Sequence, residues 1–535
     1  MIHDPIRAGL ARGWKVTDAA MLESDLALDA DVAIVGTGAG GGVTAEILSA
    51  AGLDVVLIEE GPLKSSSDFK MLEAEAYPQL YQESAARKTL DKAITILQGR
   101  CVGGSTTVNW TSSFRTPEVT LRHWREHFGL AALTQGELAP WFDRMERRLA
   151  IAPWTIPPNE NNALLARGAA KLGIATAEIR RNVTGCWNIG YCGMGCPTNA
   201  KQSMLVTTIP AALERGARLV CGARADRLRL NRGRADTLEC SALDARGVHA
   251  TGRRIRMRAK HYVLAGGAIG SPAILIRSGA PDPHRAVGRR TFLHPTVISA
   301  ALMPQRVDGH AGAPQTIFCD HYLERAPLDG PIGFKLEAPP LHPVLFAMTH
   351  QGFGPPHAES MSAFTHAHAL IALLRDGFHP QSAGGIVGVR DDGSPVLAYP
   401  LTPFIWDGVR RALLAMAEIQ FAAGAKSVLP IHERARPYAS WAQARDAIAA
   451  LPLEPLLTRV VSAHVMGGCG MADAPARGVV DSRGRYFHLE NVSVHDGSVF
   501  PTSLGVNPQL SIYALAARNA TALAEALTGK APPGE

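Results

Sequence analysis

The sequence predicts an α/β fold in which interleaved parts of the chain build two kinds of sheet. An apolar β-branched run, a glycine turn, a helical pattern and a second apolar run follow one another between residues 31 and 62. A similar pattern returns between 205 and 280, and glycines and small residues are dense again after 464. From 290 to 400, short apolar runs alternate with Pro, Gly and His, which is typical of an antiparallel sheet with long loops.

Length and composition favour a folded chain of two domains. The 535 residues exceed one simple core, and a hydrophobic content of 46% is ordinary for globular proteins. The net charge of +6 comes without a long basic run, so no nucleic-acid partner is expected. No transmembrane segment or secretory signal is recognisable, so we expect a cytoplasmic protein, with peripheral membrane association left open.

The first α/β unit carries a dinucleotide-binding pattern. Gly36, Gly38 and Gly41 form GxGxxG between strand and helix, where glycines permit a tight turn and close approach of a pyrophosphate. Glu59 ends the second strand, where a carboxylate can accept hydrogen bonds from ribose hydroxyls. These features predict a bound dinucleotide and do not separate NAD from FAD. The alternative is a tight structural turn in an α/β sheet.

Further motifs resemble the glucose-methanol-choline (GMC) family of FAD-dependent oxidoreductases. They are GRCVGGSTTVNW from Gly99, GAIGSPAILIRSGAP from Gly267, SAHVMGGCGM from Ser462, and HDGSVFPTSLGVNPQLSIYALAARNA from His495. Two of them depart from the family pattern: Ser113 stands where an aromatic residue is usual, with Phe114 after it, and Pro281 stands where the ending SGxG has its last glycine. The block YCGMGCPTNAKQS is similar to the bacterial long-chain-alcohol oxidase branch.

The resemblance implies a discontinuous FAD-binding Rossmann-like domain and an interwoven substrate domain built on an antiparallel sheet. The first would comprise residues 1–115, 205–290 and 460–535, and the second 116–204 and 291–459. Besides the GxGxxG glycines and Glu59, the resemblance implies a further set of FAD-binding residues, namely Gly103, Gly104, Ser105, Asn109, Ala225, Asp496, Gly497, Pro508 and Gln509.

Oxidation of an alcohol requires a base for the hydroxyl proton and a polar group that orients the substrate oxygen. Histidine titrates in a suitable range. The positions that match the family's catalytic pair are His464 and Asn507, and the resemblance implies that His464 is the base. The clustered histidines of residues 350–368 lack a metal-ligand spacing and are interpreted as pocket or surface residues.

Three cysteines form a separate cluster. Cys186, Cys192 and Cys196 have the spacing Cx5Cx3C, which resembles the iron–sulfur motif of some sugar dehydrogenases of this family. A possible iron–sulfur cluster is therefore one hypothesis. Simple packing or a labile disulfide are the others.

The predicted reaction is oxidation of a primary, hydrophobic alcohol to an aldehyde, with hydride transfer to the flavin N5. The hydrophobic preference follows from an apolar segment that includes Phe346, Met348, Phe353 and Phe364, which also suits a protein core. The partners are then a small-molecule alcohol and an electron acceptor, which is oxygen, a quinone or a redox protein. A hydroxynitrile-lyase-like enzyme, a sugar or polyol dehydrogenase with an iron–sulfur cluster, and an NAD-dependent reductase are the alternatives.

Overall fold

A computed structural model describes residues 2–350 and 352–530, and its architecture confirms the predicted α/β class. Parallel and antiparallel strands are distributed over two large sheets and two small ones. Each large sheet draws its strands from distant parts of the chain, as the interleaved sequence pattern predicts.

The first large sheet forms around the βαβ unit. Its strands lie in the order Lys15–Asp18, Arg218–Cys221, Val55–Ile58, Leu26–Val35, Ala250–Leu264, Arg234–Leu243 and Ala223–Asn231, and Val492–Val494 pairs with the end of Ala250–Leu264. All these pairings are parallel except the two made by Arg234–Leu243. The carboxyl ends of the parallel strands therefore meet at one edge, where open α/β sheets bind their ligands.

Close packing beside this edge depends on glycine. The helix Ala39–Ala50 follows Leu26–Val35 and is buried along most of its length. A Cβ atom at Gly41 would lie 1.9 Å from the carbonyl oxygen of Gly36, and one at Gly40 would lie 1.4 Å from that of His495. Glycine at both positions lets the start of the helix lie against the strand ends.

The second large sheet is mostly antiparallel. Its strands lie in the order Ile94–Ile96, Val460–Ser462, Thr296–Leu302, Ala367–Leu374, Phe334–Glu337, Ile317–Cys319 and Ala177–Glu178, and Ser427–Pro430 also pairs with Thr296–Leu302. One face packs on the helix Pro403–Ala422, and Val297, Ala301, Leu370 and Ala372 share a buried cluster with that helix. The opposite face is free to line a cavity.

The remaining strands form the small sheets: Arg289–Phe292, Gly385–Val389, Pro395–Ala398 and Met466–Gly467 in one, and Ile151–Ala152 with Arg181–Asn182 in the other. The other helices are Pro5–Ala11, Glu73–Leu80, Ser105–Val108, Glu118–Phe128, Gln135–Arg148, Glu160–Lys171, Thr208–Glu214, Gly267–Arg277, His321–Glu324, Pro343–Thr349, Pro355–Ser362, Trp441–Ala450 and Gln509–Thr528.

Sheet membership does not follow the predicted domain ranges everywhere. Ile94–Ile96 and Val460–Ser462 fall in the ranges predicted for the first domain but pair in the second large sheet. The helix Gln135–Arg148, predicted in the substrate domain, packs against Gln509–Thr528. Within residues 2–350 and 352–530, no helix has the length and apolar character needed to cross a bilayer.

Candidate active site

A cavity of about 1000 Å³ lies between the two large sheets. Its volume is at the upper end of the range for small-molecule sites. Most of the residues predicted to bind FAD or to act in catalysis line it: Gly36, Gly38, Glu59, Gly104, Ser105, Asn109, Ala225, His464, Asp496, Gly497, Asn507, Pro508 and Gln509. Gly41 and Gly103 do not line it and instead shape the adjoining turns.

Glu59 connects the first glycine turn to the second. The amide and hydroxyl of Thr37 both donate to Oε2 of Glu59, at 3.1 and 2.6 Å, and the amide of Gly103 donates to the hydroxyl of Thr37 at 2.9 Å. Burial raises the pKa of Glu59. The carboxyl group therefore holds two backbone loops in place and retains acceptor capacity toward the cavity.

The two glycine loops approach each other closely. Gly104 has φ +53°, and a Cβ atom added there would lie 2.7 Å from Cα of Gly38. Ser105 begins a short helix, and its hydroxyl accepts the amide of Gly99 at 2.9 Å. Backbone without side chains therefore forms this wall of the cavity, as close contact with a pyrophosphate or a flavin ring requires.

Asp496 organises a third turn. Its Oδ2 accepts the amide of Gly267 and the hydroxyl of Ser271, at 2.8 and 2.6 Å, and its Oδ1 accepts the amide of Ser498 at 2.8 Å. These three hydrogen bonds satisfy both oxygens of the buried carboxyl group. Asp496 thus orients backbone amides at the cavity wall, and its role in binding FAD stays a prediction.

Asn109 and Gln509 join two motifs that are 400 residues apart. The Asn109 side-chain amide donates to Oε1 of Gln509 at 2.6 Å, and Tyr513 donates to the same oxygen at 2.9 Å. The Gln509 amide donates to the carbonyl of Ser112 at 2.9 Å. Gln509 is the first residue of the helix Gln509–Thr528, so this network fixes the helix start at the cavity wall.

His464 lies between a second histidine and Asn507. Its Nδ1 is 3.2 Å from Nδ1 of His294, and its Nε2 is 3.5 Å from the side-chain amide nitrogen of Asn507. The amide of Gly505 donates to Nε2 of His294 at 3.0 Å, so a neutral His294 carries its hydrogen on Nδ1 and donates it to His464. A neutral His464 then carries its own hydrogen on Nε2, which is free to donate into the cavity because the Asn507 amide nitrogen is itself a donor.

Buried charges surround this pair. Lys335 Nζ lies 3.9 Å from Oε1 of Glu337, 3.6 Å from Oδ1 of Asp320 and 3.2 Å from the ring centre of Phe114. Glu337 Oε2 accepts the Asn507 amide at 3.4 Å. Burial and the charge of Lys335 lower the pKa of His464 to about 3, and burial also lowers that of His294. Both rings are therefore neutral at ordinary pH.

Sequence reasoning missed His294, Lys335 and Glu337. His294 stands before a proline and has φ +44°, which is an uncommon conformation for a residue other than glycine. The alternating pattern of Phe334–Glu337 gives one signal, because a lysine and a glutamate two residues apart lie on the same face of a strand. No local pattern indicated which cavity that face meets.

The cysteine cluster does not form a metal site. Within residues 2–350 and 352–530, no group of three His, Cys, Asp or Glu side chains is placed to hold a metal ion. Cys186, Cys192 and Cys196 are free thiols. Cys192 Sγ lies 3.8 Å from the Arg181 guanidinium, and Cys196 Sγ lies 3.4 Å from the Thr198 hydroxyl. The geometry thus gives the iron–sulfur hypothesis no support and leaves the thiols with ordinary polar neighbours.

The aromatic residues expected near the substrate separate into two groups. Phe346 and Met348 line the cavity from the helix Pro343–Thr349. Phe353 is 90% exposed, and Phe364 packs on Phe346 without reaching the cavity. The free face of the second large sheet adds further apolar side chains, among them Ile298 and Ile371.

The geometry defines a class of protein. It is an α/β enzyme whose large cavity is lined by glycine turns suited to a dinucleotide, by apolar side chains and by a buried histidine. Models of the GMC oxidoreductase family match residues 77–296 and 380–516. The chain belongs to the GMC oxidoreductase family, and its fold is that of these flavoproteins.

Individual relatives agree with this assignment. The GMC-type oxidoreductase y4nJ of Sinorhizobium fredii is 30% identical over 507 residues, covering 94% of this chain and 96% of the relative. Long-chain-alcohol oxidase FAO1 of Arabidopsis thaliana is 27% identical over 535 residues, covering 94% and 68%. A structure of Aspergillus oryzae formate oxidase, studied for its FAD modification, superposes with a TM-score of 0.65 at 15% identity, covering 93% and 98%.

Proposed function

We propose that this chain binds FAD and oxidises a primary, hydrophobic alcohol to an aldehyde, with His464 as the catalytic base. The observation that carries the proposal is that His464 and Asn507 lie 3.5 Å apart and line the same cavity as the glycine turns and the apolar face of the second large sheet. The similarity to long-chain-alcohol oxidases supports the substrate class.

The part of the cavity walled by Gly36, Gly38 and Gly104 has the features that FAD requires. Gly36, Gly38 and Gly104 leave room for a pyrophosphate at the start of the helix Ala39–Ala50, where the helix dipole favours negative charge. Glu59 and Ala225 line the region expected for ribose and adenine, Gly497 lines that expected for the pyrophosphate, and Pro508 and Gln509 belong to the turn expected at the active site. When bound there, FAD supplies the hydride acceptor.

The chain's own groups handle the hydroxyl proton and the substrate oxygen. Asn507 holds the oxygen, and His464 takes the proton at Nε2. In the hydrogen-bond network described above, Nε2 already carries a hydrogen. Proton uptake there requires the other tautomer, in which the hydrogen is on Nδ1 and the partner of Nδ1 acts as acceptor. His294 therefore controls the fraction of His464 that is ready to act as a base.

The proposal is tested by mixing the purified, FAD-loaded protein anaerobically with primary alcohols and following flavin absorbance. We expect bleaching at rates that rise with alkyl length, and aldehyde equal to the flavin reduced. A lyase would leave the flavin oxidised. Glucose reacting faster than decanol would contradict the hydrophobic substrate class, and the absence of bleaching by every alcohol would contradict the proposed reaction. Oxygen uptake compared with dye reduction then identifies the class of electron acceptor.

A further inference from the structure

The free face of the second large sheet forms a continuous apolar platform in the cavity. The strands Thr296–Leu302 and Ala367–Leu374 pair with Thr296 opposite Leu373, Ile298 opposite Ile371, and Ala300 opposite Ala369. All six side chains line the cavity. Ile298 and Ile371 are only half-buried, although both belong to central strands. Five of the six side chains are apolar, and the Thr296 hydroxyl donates to the carbonyl of His294 at 2.7 Å. The two isoleucines are the most exposed of the row, at positions that the core of a sheet would normally cover.

One end of the platform lies at the proposed catalytic pair. Thr296 pairs with Val461, three residues before His464. It also follows two residues after His294, which contacts His464. The first side-chain pair is thus tied to the catalytic end by two separate chain connections.

The other end lies under a small apolar cluster. Ala369 packs with Leu341, Phe346 and Ala367, and both Leu341 and Phe346 also line the cavity. Alanine occupies both positions of the third pair, whereas isoleucine occupies both positions of the second. The small side chains leave space at the far end that larger residues would fill.

The rise per residue of a β-strand gives the length of this platform. The four steps along the strand from Thr296 to Ala300 span about 13 Å at the usual rise per residue. An extended alkyl chain advances about 1.3 Å per methylene, given C–C bonds of about 1.5 Å. The platform therefore accommodates about ten methylenes beyond the reacting carbon.

We propose that these three side-chain pairs bind the unbranched alkyl chain of the substrate in extended form, and that Ala300 and Ala369 set the chain length the enzyme prefers. This inference rests on the proposed alcohol oxidation. It assigns the site a long, unbranched substrate with the hydroxyl at one end. Each methylene that reaches the platform should raise kcat/KM roughly fourfold, from the free energy of burying one CH2 group.

The test measures kcat/KM for even-numbered primary alcohols from ethanol to hexadecanol. For the unaltered protein we expect a rise that levels off at about decanol to dodecanol. Ala300→Leu should move the plateau to about octanol and Ile298→Trp to about butanol, because each blocks the path at its own side-chain pair and neighbouring pairs lie about 6.6 Å, or about five methylenes, apart. In both variants the loss of kcat/KM should be smallest for ethanol and should grow with chain length, since a two-carbon chain ends before the substituted side chains.

Ile386→Trp is the matched control, because Ile386 lies on a strand, is 46% exposed and does not line the cavity. Its plateau should not move. If Ile298→Trp fails to retain FAD, Ile298→Ala replaces it, with an expected loss of kcat/KM that is larger for octanol and longer alcohols than for ethanol.

Unmoved plateaus in FAD-loaded variants would overturn the inference, as would an equal loss for every chain length. Either result leaves the proposed reaction intact, because the unaltered protein would still oxidise alcohols. Failure of the unaltered protein to react with any alcohol would instead reject the proposed function itself.

Discussion

At the scale of single residues, His464 is defined by contacts at both ring nitrogens. Nδ1 faces His294 at 3.2 Å, and Nε2 faces Asn507 and the cavity. Because the pKa of the ring is lowered to about 3, the ring is neutral at neutral pH and only one of its two nitrogens carries a hydrogen. The lowered pKa keeps the base available, and it also makes a long-lived imidazolium unfavourable.

Replacement of His464 tests its role in the chemical step. His464→Ala and His464→Gln should lower the rate of flavin reduction by about two to four powers of ten, the range for loss of a general base, while FAD stays bound. Stopped-flow absorbance of anaerobic enzyme measures the rate. Asn507→Ala serves for comparison and should slow reduction without loss of FAD. A rate near that of the unaltered protein in His464→Ala would rule out the base.

The contact between His294 and His464 allows the base and donor roles of His464 to be separated. His294→Asn places an amide oxygen that can accept from Nδ1 of His464 and so stabilises the tautomer with a free Nε2, whereas His294→Leu offers no acceptor. If His464 is the base, the Asn variant should reduce flavin up to about tenfold faster than the Leu variant, the value of one net hydrogen bond. Equal rates, or a faster Leu variant, would favour a His464 that only donates a hydrogen bond.

At the scale of elements, one carboxylate holds the helix Pro343–Thr349 in position at the apolar wall of the cavity. Glu73 accepts the amides of Val344 and Leu345 at 2.6 and 2.8 Å, at the start of the helix Pro343–Thr349. Leu345, Phe346 and Met348 of that helix line the cavity. The helix Pro343–Thr349, which we call the roof of the cavity, therefore depends for its position on a side chain of the distant helix Glu73–Leu80.

Removing this carboxylate should loosen the roof and leave the chemistry in place. Glu73→Ala leaves two helix amides without their acceptor, so we expect kcat/KM for decanol to fall several-fold, chiefly through KM, while flavin reduction at saturating alcohol changes little. Glu75→Ala is the matched control, because Glu75 is exposed on the same helix. Equal effects of the two substitutions would show that the fastening by Glu73 is unimportant.

At the scale of the whole molecule, the features that sequence predicted best are the local ones. The βαβ unit is encoded within about thirty residues, and the strand Leu26–Val35 and the helix Ala39–Ala50 appear where the pattern indicated them. His464, Asn507 and most of the glycines that the family motifs identified line one cavity in the structure.

Features that depend on distant contacts could not be predicted in the same way. Ile94–Ile96 pairs with Val460–Ser462 across the chain, so neither segment alone shows its sheet. The contact of His294 with His464 arises only once the second large sheet is assembled. The thiols of the cysteine cluster have metal-like spacing in sequence, but Arg181 and other polar groups meet them in space.

The cavity is completed by turns from several parts of the chain, so binding of FAD should stabilise the folded molecule as a unit. A ligand that binds only the native state adds about 2.7 kcal/mol at a free concentration 100 times its Kd. Addition of FAD to protein stripped of flavin should therefore raise Tm by several degrees, and flavin fluorescence should be released in the same transition as the loss of secondary structure. Gly104→Ala should abolish the rise, because Cβ would enter the wall next to Gly38. Gly233→Ala is its control, because Gly233 also has a positive φ, of +79°, in a turn where a Cβ atom would meet nothing within 4 Å. This variant should lower Tm yet keep the response to FAD. A response that survives Gly104→Ala unchanged would place the flavin away from the glycine-walled cavity.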